Sequence, residues 1–318
     1  MNGLVLLALL APLLAQAHVF PSKLVKVQVP FSSSAGPTVF MQVLADKLSK
    51  AWGERVIVEP KPGASGFLAI ESVKHAAPDG HELLIVSNSH VAINPALYKK
   101  LPYDPQMDFV PVALIYRAPY FVTVSASGPY PTVPALIAAA KANPGKLTYG
   151  IAFVGSPPHL GGALFGFLTS TDMAPVAFKE QNQLYVALAN GDLSWALSTI
   201  GSALPLMKAG KVKLIAVAAA SRSPLAPEIP TIAQAGGPAG AEVEAWLAML
   251  APRGTPAGVV RRINADVVKQ LGDADVLERM RVLGFQATPD SPEEVARLIR
   301  EDTRKYGELV RKVGATAD

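Results

Sequence analysis

Short apolar stretches with strand spacing lead repeatedly through small polar loops into helical stretches, and this alternation limits the fold more than any other feature of the chain. Residues 24–29 place Val25, Val27 and Val29 on one side and run into Pro30-Phe31-Ser32-Ser33-Ser34-Ala35-Gly36. Pro37 suits a first helical position, and Phe40, Leu44 and Leu48 then recur every four residues. The pattern returns as a strand at 82–86, a loop at 87–90 and a helical stretch at 91–98, and again at 147–152, 153–158 and 159–169. Further strands are predicted at 56–59, 112–116, 120–124, 174–178, 193–198 and 214–218. Further helices are predicted at 67–76, 132–143, 256–271, 274–283 and 292–313. The expectation is an α/β fold of two units, one inserted within the other, with a cleft at the carboxyl ends of the strands.

A length of 318 residues suits about two domains. Half the residues are apolar and 17% are charged, which excludes a disordered chain. Lys+Arg 29 against Asp+Glu 25 leaves +4, spread without a block, so no nucleic-acid partner is expected. The absence of cysteine excludes disulfides, thiolate catalysis and zinc–thiolate sites. Residues 1–17 form an apolar run ending in Ala15-Gln16-Ala17, the small-x-small pattern of a cleaved secretory signal. A membrane anchor is the alternative, but Pro12 interrupts the run, which is shorter than the roughly 20 residues a spanning helix needs. The mature protein is expected to be periplasmic, to begin near His18 and to be a monomer.

The sequence contains no G-x-S-x-G, Walker, H-E-x-x-H or dinucleotide-binding motif, and no nucleophile–base pair, so no enzymatic activity and no cofactor are expected. His18, His75, His81, His90 and His159 show no i,i+4 pairing and no acidic cluster at ligand spacing, so no metal is expected. Glu293-Glu294 read as a solvated first turn of a helix. The positive features are the loops. Ser32–Gly36 combines free backbone N–H groups with the positive end of a helix dipole, which suits an anion; an ordinary capping turn is the alternative. The segment Gly155-Ser156-Pro157-Pro158 is a poorer donor because proline has no N–H. Ser87, Asn88, Ser89 and His90 offer side-chain donors, and Lys179 is either a salt-bridge partner for an anion or a surface lysine. Trp195 and Trp246 are read as core.

These loops sit among motifs that resemble the Bug family of solute receptors, the periplasmic binding proteins of tripartite tricarboxylate transporters, over essentially the whole mature chain. The motifs include Val29-Pro30-Phe31, Pro62-Gly63-Ala64-Ser65-Gly66, Ala77-Pro78-Asp79-Gly80 and Ile93-Asn94-Pro95-Ala96-Leu97-Tyr98. Leu101-Pro102-Tyr103-Asp104-Pro105 followed by Asp108-Phe109-Val110-Pro111-Val112 is the most specific. Ala142-Asn143-Pro144-Gly145-Lys146, Met207-Lys208-Ala209-Gly210-Lys211 and Leu250-Ala251-Pro252 with Gly254-Thr255-Pro256 follow in order.

The resemblance implies a two-lobed, type II Venus-flytrap fold. The first lobe is expected to comprise residues 18–122 and 222–318, the second 123–221, with hinges near 120–126 and 218–224. It also implies capture of a small carboxylate in the cleft and delivery to integral-membrane permease subunits; a ligand-sensing accessory of a membrane sensor kinase is the alternative. The ligand-binding residues it points to are Phe31, Ser32, Ser33, Ser34, Ala35, Gly36, Thr38, Ser87, Asn88 and Ser89 from one lobe. From the other it points to Phe153, Gly155, Ser156, His159, Phe178 and Ser198. Thr38, Ser194 and Ser198 stand where the family usually has acids, and Pro157-Pro158 where it usually offers Ser or Thr. The expected ligand therefore has an apolar or aromatic body, is held chiefly by neutral donors, and is not an amino acid or a compact tricarboxylate.

Overall fold

A computed structural model describes residues 20–178 and 180–317. The apolar run at 1–17 read as a secretory signal, His18 and Lys179 lie outside the described residues. Three parallel strands, β1 (Val25–Val29), β2 (Val56–Pro60) and β3 (Glu82–Ser87), start the first sheet. Between them lie α1 (Gly36–Trp52) and α2 (Phe67–Lys74), and a π-turn at Ser89–Ile93 leads from β3 into the short α3 (Asn94–Leu97). Valines 25, 27 and 29 pack with Phe40, Leu44 and Leu48 of α1, as their spacing predicted. On β3, Leu83 and Ile85 join that cluster while Leu84 and Val86 face Ile70 and Val73 of α2, so the strand is covered on both faces.

β4 (Phe109–Pro119) runs to the cleft and continues through Tyr120 into β5 (Phe121–Ser125), a member of the second sheet. That sheet is completed by β6 (Thr148–Ile151), β7 (Ala174–Ala177), β8 (Trp195–Ser198) and β9 (Val212–Val217). Its helices are α4 (Val133–Ala142), α5 (Pro157–Thr169), α6 (Gln181–Asn190) and α7 (Ile200–Lys208). The chain then returns as β10 (Glu244–Pro252), followed by α8 (Ala257–Leu271), α9 (Ala274–Leu283) and α10 (Pro292–Val313). The strand orders are β2-β1-β3-β10-β4 and β7-β6-β8-β5-β9.

Both sheets have one layout: β10 is antiparallel to β3 and β4, and β5 is antiparallel to β8 and β9. In each case the odd strand is the one that has just arrived from the other sheet. Three elements, α6, α7 and β10, were not foreseen from the sequence. β10 reads EAWLAMLAP, and because it is central and covered on both faces it lacks the alternation that marks a half-buried strand. β4 is longer than expected because Pro111 sits at a register shift opposite Leu250, the kind of position where a strand tolerates proline.

The sheets touch on two sides of the cleft. On one, Leu160 of α5 joins Ala92, Ile93 and Leu97 with Tyr306, Leu309 and Val310 of α10, so the C-terminal helix packs on elements of both sheets. On the other, the α7 N-terminus meets the end of α9, and a Cβ at Gly201 would collide with the backbone of Leu283. Backbone cannot move aside as a side-chain tip can. Gly201→Ala is therefore expected to push α7 from α9 and widen the cleft, read as a larger radius of gyration in small-angle scattering of the unliganded protein; an unchanged value would show that this contact does not set the closure.

Candidate functional site

A cavity of about 710 Å³ lies between the sheets, at the carboxyl ends of β1, β3, β6, β7 and β8. This is the size range of small-molecule sites and their usual location in open α/β sheets. Of the residues expected from the sequence, Phe31, Ser34, Gly36, Ser87, Asn88, Ser89, Phe153, Ser156 and Phe178 line it. Ser32, Ser33, Ala35, Thr38, Gly155, His159 and Ser198 do not. Ser32 and Ser33 are exposed on the turn before α1, where Ser32 O accepts from Ala35 N–H. Thr38 and Ser198 are fully buried, and neither hydroxyl has a partner among the described residues. Gly155 N–H donates to His159 Nδ1 at 3.0 Å, which turns that pair inward upon itself.

Helices supply the local electrostatics. α1, α6 and α7 all begin at the cavity and none has a side-chain cap on its first turn, so their positive dipole ends and their leading N–H groups, except at Pro37 of α1, border the space. α5 differs. Pro157 and Pro158 have no N–H to offer, and the amide of His159 is satisfied by Ser156 Oγ at 3.3 Å. The loop after β6 therefore presents apolar surface and few donors, as the prolines predicted.

Most of the remaining wall could not be assembled from sequence. Tyr116 stacks on Phe285, with ring centroids 3.9 Å apart and planes within 5°. Tyr120, Trp246 and Leu247 extend this apolar surface from the two strands that cross between the sheets. Burial raises the Tyr116 and Tyr120 phenols well above their ordinary values, so both remain protonated donors. Among the described residues neither hydroxyl has a hydrogen-bond partner. Gln181, Tyr185, Ser202 and Thr199 form a chain, with Tyr185 Oη donating to Ser202 Oγ at 2.7 Å and Ser202 Oγ 2.6 Å from Thr199 Oγ1. The signal for Thr199 and Ser202 was present: residues 198–202 repeat the strand, polar loop and helix pattern, but Pro205 inside α7 masked the helix.

A buried polar cluster holds the floor in place. Trp246, read from sequence as core, is fully buried and yet forms part of the wall, with Nε1 donating to Asp302 Oδ2 of α10 at 2.6 Å. Burial raises the Asp302 carboxyl, opposed by this indole bond. Asn88 Nδ2 donates to Glu244 O at 2.9 Å, and Arg117 pairs with the Glu244 carboxylate. The cavity contains no acidic side chain, and Arg279 is the single charged residue lining it among the described residues. No group of His, Asp and Glu among the described residues could hold a metal ion.

The family model of the tripartite tricarboxylate transporter family receptor matches residues 40–315. The chain belongs to this family of periplasmic solute receptors. An R. palustris protein solved with adipate is similar at 30% identity and TM-score 0.83, covering 93% of this chain and 99% of that one. MatC from Rhodopseudomonas palustris, solved with bound malate, is similar at 31% identity and TM-score 0.78, covering 92% and 100%. The periplasmic binding protein BugD is similar at 27% identity and TM-score 0.78, covering 93% and 99%. The fold is the two-lobed α/β architecture of these periplasmic binding proteins.

His90 supports the loop after β3. The Ser87 N–H donates to its Nδ1 at 3.0 Å, Phe31 meets its ring edge-on at 5.4 Å, and burial pushes its pKa down to about 4. Folded His90 thus stays neutral to about pH 4, whereas unfolded His90 takes up a proton near 6.5. Between those values the unfolded state binds more protons, so this contribution is complete above about pH 6.5 and is lost as pH falls toward 4. The loss amounts to about 3 kcal/mol. Urea unfolding of wild type and His90→Gln at several pH values should show the wild type losing this stability on acidification relative to the variant; parallel pH profiles would refute the buried neutral imidazole.

Proposed function

We propose that this receptor captures a small carboxylate in its cleft and delivers it to the integral-membrane permease subunits of a tripartite transporter, acting as a periplasmic monomer and not as an enzyme. The observation that carries the reading is a cavity without an acid, bordered by three helix N-termini without side-chain caps and by two phenols whose hydroxyls have no partner among the described residues. Backbone N–H groups and helix dipoles favour an anion without a lysine or arginine in the loops. The neighbours solved with adipate and malate support a carboxylate in the corresponding chain. Phe31, Tyr116, Phe153, Phe178 and Phe285 favour an apolar or aromatic body over a compact tricarboxylate, and with no acid in the cavity an ammonium group has no partner.

The lobes are taken to be the two sheets with their helices, the discontinuous one containing β1–β4 and β10. They join at Tyr120 and at the Ala218–Val243 pairing, residues 226–241 packing with the second sheet, and ligand shifts the population toward the closed form. A thermal-shift screen of mono- and dicarboxylates, aromatic acids and amino acids tests the function, because a ligand that binds only the folded state raises the melting temperature. Stabilisation by amino acids or citrate alone would overturn the apolar-bodied ligand, and no stabilisation by any of these acids would overturn the carboxylate reading.

Two further outcomes follow. Tyr120→Phe deletes a hydroxyl without a protein partner, so it should leave the unliganded melting temperature unchanged while weakening a carboxylate found in the screen by about ten- to a hundredfold, the range of a hydrogen bond to a charged group. Equal affinity of the two proteins in calorimetry would remove Tyr120 from the site. Export should yield a chain cleaved after Ala17, and mass spectrometry of the envelope fraction should find His18 at the N-terminus; retention of Met1 would defeat this.

A further inference from the structure

The charges of α9 are almost all neutralised by one another or by a neighbour. Lys47 of α1 bridges Asp273 and Asp275 at 3.2 and 2.7 Å, and Arg281 pairs with Glu278 at 2.8 Å. Arg279 is left over. It makes no ion pair and no hydrogen bond among the described residues. With Val282 and Leu283, three and four positions on, it occupies the helix face that fronts the cavity. The end of that face meets the N-terminus of α7 at Gly201, so Arg279 stands one helical turn before the point where α7 reaches α9. The guanidinium and the α7 N-terminus are both positive, and both border one apolar space. An anion between them is attracted to both.

Depth separates Arg279 from the phenol donors. Tyr116 is only 4% exposed and lies at the base of the cleft, whereas Arg279 is on the exposed rim. The cavity of about 710 Å³ has room for an organic body that reaches from one to the other. We propose that Arg279 is a specificity-determining residue that binds a second acidic group at the rim, so that the receptor prefers dicarboxylates to monocarboxylates with the same body. This rests on the carboxylate reading above and adds a selectivity which that reading does not require.

Calorimetry on the purified mature protein tests it with two matched pairs, 1,4-phenylenediacetate against phenylacetate and adipate against hexanoate. Wild type should bind the diacid of at least one pair about ten- to a hundredfold more tightly than its monoacid. Arg279→Gln should remove that preference while leaving the monoacid affinity and the unliganded melting temperature unchanged, and Arg279→Lys should keep part of it. A wild type without diacid preference, or a Gln variant that retains it or weakens both acids equally, overturns the role of Arg279 and leaves the carboxylate reading intact. Failure of all four acids to bind the wild type overturns both.

Discussion

The two chain crossings between the sheets are hydrogen-bonded to each other, and the layout of the cleft follows from that junction. Ala218 donates its N–H to Tyr120 O at 2.8 Å and accepts from Val243 N–H at 2.9 Å, so the outgoing and returning segments form one narrow ladder. Because β4 and β9 both end at this ladder, the strands that continue from it, β5 and β10, must run away from the cleft. Each is therefore antiparallel to its neighbours, and the carboxyl ends of all the parallel strands in both sheets face one another. Helices that follow parallel strands begin at those ends, so the topology alone aims several positive helix ends at one space.

That concentration of positive potential is unfavourable in an empty apolar cavity, and the side chains show how it is tolerated. No carboxylate enters to neutralise it, which would fill the site with the protein's own anion. Ser156 caps α5, where the prolines have already removed two donors, but α1, α6 and α7 remain uncapped. The hydroxyl chain from Gln181 to Thr199 satisfies its own members internally. What is left unsatisfied is a set of neutral N–H and O–H donors, a surface complementary to an anion and weakly attractive to a cation.

α10 ties this surface to the rest of the molecule. One face buries Val295 and Ile299 against the first sheet, and farther along Tyr306 and Leu309 meet Leu160 of α5. Asp302, between them, holds the Trp246 indole that forms the cavity floor. A side chain in the last helix thus fixes a wall residue 56 positions before it in the chain. Any widening of the cleft would have to repack the cluster shared by α10 and α5, a more cooperative event than rotation about a single loop.

Local chemistry in the sequence determined most elements of this protein. Alternating valines made β1, the i,i+4 pattern of Phe40, Leu44 and Leu48 made α1, and the small polar loops after the strands marked where N–H groups would be free. Such features depend only on near neighbours in the chain, so they are legible without a fold. Tertiary structure alone decided the identity of β10 as a central strand, the burial of Thr38 and Ser198 away from the cavity, and the arrival of Tyr116, Phe285 and Arg279 at the site. An arginine on an amphipathic helix has the same local spacing whether it meets solvent or a ligand cavity. Its meaning comes from which acids its neighbours have already paired and from the helix end facing it, and both depend on contacts between residues far apart in sequence.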